Sequence, residues 1–128
     1  MKNKTIISTS RSPKAIGPYS QAIEISNLGF TSGQIPLDLL GNIISDDFED
    51  QVRQCLFSIK GILLERCLTI NNIIKLTVYV VDISNFDKLN KVFNDFLSEP
   101  FPARSVIEVS KLPKDSQVEI EAIYYNDH

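Results

Sequence analysis

The sequence predicts a two-layer α+β domain, with two helices laid on one face of a mixed sheet, and three observations carry that prediction. Two runs towards the C-terminal end, Arg104-Ser105-Val106-Ile107-Glu108-Val109 and Val118-Glu119-Ile120-Glu121-Ala122, alternate with a period of two, as strands with one buried face do. Two segments, from Phe48 and from Phe86, repeat their apolar residues at helical spacing. Between them, Ile73 to Val81 is apolar on both faces through Leu76, Val78, Val80 and Tyr79, which suits a strand in the middle of a sheet.

In chain order, Thr5 to Ser8 reads as a short first strand. Ser10 to Ser20 is a loop broken by Pro13, Gly17 and Pro18. Gln21 to Ser26 is a strand with Ile23 and Ile25 on one face, Asn27 to Gly29 a turn, and Phe30 to Ser32 the returning arm. Gly33 to Pro36 interrupts that arm, and Asp38 to Asn42 turns around Gly41. The first helix is capped by Asp46 or Ser45, with Glu49 in the capping-box position. Its stripe is Phe48, Val52, Cys55, Leu56, Ile59, Ile62 and Leu63, and it runs to about Arg66. Asn85 caps the second helix, whose inward residues are Phe86, Leu89, Phe93, Phe96 and Leu97 and which Pro100 and Pro102 stop.

The two C-terminal runs read as one hairpin, because Leu112-Pro113-Lys114-Asp115 supplies a turn with φ preset by Pro113. Val109 then pairs with Val118, Ile107 with Ile120 and Ser105 with Ala122. The other face of that hairpin carries Arg104, Val106, Glu108, Glu119 and Glu121, a mixture of charge and apolar surface that asks for a ligand pocket or a partner subunit. In this register Glu119 faces Glu108, roughly 13 Å along the strand from Arg104. A site using both is either stretched between them or takes each from a different subunit. With both helices on one side, the uncovered face, expected to hold Val106, Tyr79, Ile123 and Tyr125, is expected to be covered by self-association.

Length and composition fit one domain, residues 1–128: 43% of the residues are hydrophobic and 23% charged, ordinary values for a globular chain. A net charge of −3 argues against a general phosphate-binding surface. The basic start at Met1-Lys2-Asn3-Lys4 is not followed by the apolar run of a signal peptide. No stretch approaches the ~18 apolar residues of a membrane span, so cytoplasmic residence and no membrane partner are expected. Cys55 and Cys67 have no histidine near them in sequence, and the one histidine is the terminal His128. A zinc site and Ser-His or Cys-His catalysis are thereby set aside. Cys55, on the helical stripe, reads as a small core residue.

Four segments, Gly17-Pro18-Tyr19-Ser20-Gln21, Ser32-Gly33-Gln34-Ile35-Pro36, Phe101-Pro102-Ala103-Arg104-Ser105 and Val118-Glu119-Ile120-Glu121-Ala122, together resemble the RidA/YjgF family, over Ile6 to Ile123. The resemblance implies a chorismate-mutase-like α+β fold assembled as a homotrimer with ligand clefts between subunits. It also implies hydrolysis, without a cofactor, of reactive enamines and imines such as 2-iminopropanoate and 2-iminobutanoate to 2-keto acids and ammonia. Arg104 matches the family's arginine, whose planar fork suits a substrate carboxylate. Glu119 matches the family's glutamate, able to position water and then move protons to the leaving amine. Gly33 matches a position where backbone approaches the ligand, Tyr19 and Ser32 shape the mouth, and Phe86 and Asn90 close the cleft. Phe86 equally fits a core aromatic.

Two departures stand out. Val106 occupies a position where members commonly have cysteine, which excludes a thiol-dependent mechanism and leaves at most a backbone carbonyl for that residue. The segment Leu97 to Phe101 is shorter than usual before the arginine motif. Two other function classes stay open. Some relatives are described as ribonucleases or translation inhibitors, against which the negative charge and the lack of a basic, aromatic-lined stripe weigh. The arginine pocket also suits a non-catalytic module that binds keto acids or assists other proteins. Ammonia release separates the enzyme from both.

Overall fold

A computed structural model describes residues 3–128; Met1 and Lys2, the first residues of the basic start, lie outside them. Six strands and two helices follow in the order β1 (Lys4–Ile7), β2 (Ala22–Ile25), β3 (Leu28–Thr31), α1 (Phe48–Glu65), β4 (Ile73–Val80), α2 (Phe86–Phe96), β5 (Ala103–Glu108) and β6 (Val118–Tyr125). The strands form one mixed sheet in the order β1-β2-β3-β6-β4-β5. All pairs are antiparallel except β4 with β5. The helices pack on one face, so the two-layer α+β architecture expected from the sequence is the observed one.

Helix α1 starts one residue later than its sequence suggests. Asp47 is the N-cap and accepts a hydrogen bond from the Asp50 amide at 3.0 Å, while Ser45 accepts from the Asp47 amide. Every residue of the expected stripe, Phe48 through Leu63, is buried. Before α2, a short 3₁₀ turn at Ile83–Asn85 is capped by the Asp82 side chain; Asn85 holds the N-cap position of α2 but makes no capping bond. Leu89, Val92 and Phe93 of α2 are buried, whereas Phe86 stays 39% exposed and is not a core aromatic. The β2–β3 turn is Ser26-Asn27, with Ser26 at φ 53°, one residue ahead of the expected position.

The C-terminal hairpin does not form. β5 and β6 do not touch as partners: β4 lies between them, parallel to β5 through Leu76↔Arg104 and antiparallel to β6 through Val78↔Ile120. The connection steps over the end of β4, tied to it by Val109 N–H to the Val80 carbonyl and by Val81 N–H to the Gln117 carbonyl. Pro113–Asp115 is a 3₁₀ turn with Lys114 and Asp115 both at positive φ, rather than the two-residue turn expected. Alternation in two runs cannot tell which strand pairs with which. β4 can satisfy two ladders and bury its Leu76-Val78-Val80 face, whereas β5, with Arg104 and Glu108, tolerates an edge.

This rearrangement changes which residues share a face. In the parallel pair Arg104, Val106 and Glu108 lie level with Leu76, Val78 and Val80, on the helix side, and Val106 packs against the core. Glu119 and Glu121 lie level with Tyr79 and Thr77, on the open side. The expected common face for Arg104 and Glu119 is therefore replaced by opposite faces, and Val106 leaves the uncovered face. That open face keeps Tyr79, Ile123 and Tyr125 and gains a cross-strand row, Ile6–Ile23–Phe30–Ile123. Ile6 is 65% exposed and Phe30 42%.

On the helix side a buried carboxylate fastens the two layers. Glu24 of β2 accepts from Arg66 Nε at 2.9 Å and Nη2 at 3.1 Å, from the Tyr124 hydroxyl at 2.8 Å and from Asn126 Nδ2 at 3.1 Å. Arg66 is the C-cap of α1, so the charged pair joins helix end to sheet.

Candidate active site

The residues singled out in the sequence assemble into two groups on opposite sides of the sheet. The first surrounds Glu119. After β3 the chain continues beside β6, where Gln34 and Ile120 exchange both backbone hydrogen bonds at 2.8 and 3.0 Å. Phe30 pairs with Ile123, so the β3 side takes four steps where β6 takes three. The extra residue makes a bulge, in which Thr31 Oγ1 accepts from the Ala122 amide in place of a backbone carbonyl. The bulge presses Gly33 onto the Glu119 carboxylate: a Cβ at position 33 would overlap Glu119 Oε2.

A recess of about 560 Å³ opens over this contact, lined by Tyr19, Ser32, Gly33 and Glu119 together with Lys14, Ile16 and Lys114 among others. Its loop wall is held by Gln21, a residue the sequence showed only as part of a motif. Buried beneath the loop, Gln21 accepts from the Thr9 amide and donates to the carbonyls of Thr9 and Pro13 at 3.1 and 2.9 Å. Ser32 donates to the Ser20 carbonyl at 2.5 Å, closing the floor, and Tyr19 stands half exposed at the mouth. Burial pushes the Glu119 carboxyl above the usual carboxylate range, and the neighbouring Glu121 charge adds to the shift. The Tyr79 hydroxyl lies 3.4 Å from Glu121.

The second group surrounds Arg104 on the edge strand. Phe86, Asn90 and Phe93 project from one face of α2, at spacings of four and three. The Arg104 guanidinium carbon lies 5.2 Å from the Phe86 ring centre and 5.4 Å from that of Phe93, and Nη1 donates to Asn90 Oδ1 at 2.7 Å. Partial burial lowers its proton affinity from the usual arginine value, yet it stays charged at any ordinary pH. Among the described residues no carboxylate pairs with it. A hollow of about 290 Å³ beside it is lined by Asn90, Phe93, Asn94, Leu97, Phe101, Pro102 and Arg104.

Tyr19, Ser32, Gly33 and Glu119 are thus brought together, and so are Phe86, Asn90 and Arg104, but the two groups are not joined within one chain. Val106 joins neither recess. Phe93, the second ring under the guanidinium, was legible only as a core residue of the helical stripe.

A family model described as Endoribonuclease L-PSP matches residues 9–125. The chain is 48% identical over 125 residues to a RutC family protein of Pyrococcus horikoshii, covering 97% of this chain and 99% of that protein. The chain belongs to the RidA/YjgF family. Within that family it is similar to the 2-iminobutanoate/2-iminopropanoate deaminase of Salmonella typhimurium, 42% identical over 120 residues and covering 91% of this chain and 94% of that one. Among solved structures, Escherichia coli TdcF with bound serine superposes with a TM-score of 0.88 at 40% identity, covering 96% of this chain and 99% of that chain. A Rid family protein from Yersinia pestis superposes with a TM-score of 0.92 at 42% identity, covering 95% and 98%. The family therefore includes proteins named as deaminases alongside members named only by family, while its model is described as an endoribonuclease.

Proposed function

We propose that this member hydrolyses small 2-imino acids to 2-keto acids and ammonia, at a site formed where the Glu119 recess of one copy meets the Arg104 hollow of another. The observation that carries the proposal is the complementary incompleteness of the two groups. One holds an oriented guanidinium with no acid, and the other holds a half-buried acid that, among the described residues, forms no salt bridge. A 2-imino acid carries the two features that would occupy them, a carboxylate and an electrophilic C=N carbon.

Arg104 binds the substrate carboxylate through its planar fork, which the two rings and Asn90 keep in place. Glu119, ionised, takes a proton from water as the oxygen attacks the imine carbon, giving a carbinolamine. The same carboxyl returns that proton to nitrogen, then takes the hydroxyl proton of the carbinolamine and passes it to nitrogen as C=O forms and the C–N bond breaks, so that keto acid and ammonia leave with both protons of the water on nitrogen. A carboxyl held above its ordinary range suits both halves of this exchange, because it gains and loses protons nearer to neutral pH. Valine at position 106 is compatible, since no step uses a thiol. The serine bound to the Escherichia coli relative has the same head group, a carboxylate beside a nitrogen-bearing carbon. The exposed apolar row on the open face supports assembly, and a homotrimer is the ring this reading takes from its family. A net charge of −3 weighs against RNA as the substrate.

The test generates an imine in situ with a pyridoxal-phosphate-dependent dehydratase acting on serine or threonine and follows its lifetime. The expected result is faster keto-acid and ammonia release with the protein present. An imine decaying at its uncatalysed rate, while pyruvate still binds, would make the protein a keto-acid-binding module.

A further inference from the structure

The recess around Glu119 is larger and more cationic than a three-carbon imino acid requires. At about 560 Å³ it is in the size class of pockets that hold drug-sized ligands, roughly 300–1,000 Å³. Two lysines line it, Lys14 from the loop that Gln21 tethers and Lys114 from the crossing that follows β5. Among the described residues neither is in a salt bridge, and Glu119 is the one acidic residue in the lining.

Lys114 is not a freely waving surface lysine. Its backbone sits at φ 57°, ψ 27°, a conformation that a residue with a side chain adopts at a cost and that the next residue, Asp115, repeats at φ 54°. Its ammonium donates to the Gly41 carbonyl at 2.7 Å, which ties the loop after β3 to the loop before β6. An ammonium has three donors, so two remain for a ligand.

We infer that the recess recognises a second, distal carboxylate, so that the substrates of this chain include 2-imino dicarboxylic acids, with Lys14 and Lys114 as the specificity-determining residues. The inference rests on the reading above for the α-carboxylate and the C=N carbon. It adds that the rest of the substrate points away from Arg104 of the other copy, along the recess, towards the two ammonium groups. The reaction balances as before: water adds to the imine carbon, ammonia leaves, and the distal carboxylate is unchanged.

The experiment has two arms. In the first, the ratio of kcat/KM for 2-iminoglutarate to that for 2-iminobutanoate, each generated by an amino-acid oxidase, is compared in the native chain, Lys14→Met, Lys114→Met and the variant carrying both substitutions. Exposed ion pairs are worth up to about a factor of five each, so the double substitution is expected to lower the ratio about tenfold. Raised salt should lower it in the native chain alone. In the second arm, binding of 2-oxoglutarate and of 2-oxobutanoate is titrated without any turnover. The native chain should prefer the dicarboxylate, and the double variant should lose that preference. Lys14→Met, which touches no strained backbone, gives a reading if Lys114→Met fails to fold. A ratio unchanged in the variants, or a native chain that turns over 2-iminobutanoate and neither turns over 2-iminoglutarate nor binds 2-oxoglutarate, overturns the inference. If neither imine is hydrolysed while the lysine-dependent preference for 2-oxoglutarate persists, the proposed hydrolysis fails and the distal carboxylate site stands.

Discussion

Glu24 and Glu119 are both carboxylates withdrawn from water on the same sheet, and they are treated in opposite ways. Burial pushes the proton affinity of Glu24 up, but hydrogen bonds from Arg66, Tyr124 and Asn126, with the Arg66 charge, outweigh it and hold the carboxyl below its usual range. At Glu119 burial acts with no donor to oppose it, the Glu121 charge acts in the same sense, and the carboxyl rises. Burial alone does not distinguish a structural acid from a reactive one; the partners do. The paired acid closes the helix layer onto the sheet, and the unpaired one lies on the face that carries no helix, in an open recess where the proposed reaction places its substrate.

The sharpest way to break this contrast is to neutralise each acid. Glu119→Gln should lose at least ~10²-fold in imine turnover, as expected for a positioned acid–base group. It should be at least as stable as the parent at neutral pH. A carboxyl with a raised folded-state pKa stabilises the fold while protonated, and that contribution is lost as pH rises through the raised value. A melting temperature well below the parent's would place Glu119 among the structural acids. Gly33→Ala should come next, at about 10²-fold or somewhat less, because the added methyl displaces the carboxylate while the backbone conformation remains acceptable for alanine. Unimpaired turnover in that variant would show that the Glu119 position is not critical.

On the other side of the comparison, Arg66→Met should leave turnover intact and lower stability by about 2 kcal/mol, less than the ~3–5 expected for a fully buried pair because Arg66 is partly exposed. Its effect should depend on pH. The stabilisation from a depressed carboxyl is present above the unfolded-state value and disappears as pH falls through the folded-state value, so parent and variant should converge in acid. Thermal unfolding across that range checks both statements. Glu121→Gln should have the smallest effect. Removing its charge lowers the Glu119 pKa, so the acid limb of the kcat/KM profile should move to lower pH with little change at the plateau. A limb that stays in place would mean that burial alone sets the shift.

Most of the fold was legible in the sequence because the signals were local. The stripe from Phe48 to Leu63 and the apolar run from Ile73 to Val81 depend on neighbours in sequence; the helix is observed, and the strand is observed inside the sheet, ending at Val80. The pairing of Arg104's strand was not legible. Period-two alternation fixes faces within a strand and is silent about the partner, and the proline turn at Pro113 pointed to a hairpin that β4 instead divides. The candidate site residues were therefore named one by one from their motif, while the face each would occupy was misjudged. Arg104 and Glu119 were expected on one face and lie on two. Gln21, Lys14 and Lys114 carried no distinct signal, since their positions around the recess come from loop hydrogen bonds and a left-handed backbone that sequence pattern does not report.

In the proposed arrangement the arginine and glutamate of one working site belong to different copies, and subunit mixing is the decisive check. Arg104→Ala and Glu119→Gln should each be inactive in imine hydrolysis. When the two are co-expressed in equal amounts and assemble at random, the claim predicts about a quarter of native activity, because one contact in four then joins an intact arginine to an intact glutamate whatever the size of the closed ring. Sites built within a single chain would have one or other group missing in every copy, so mixed assemblies as inactive as either variant alone would rule out a site shared between copies.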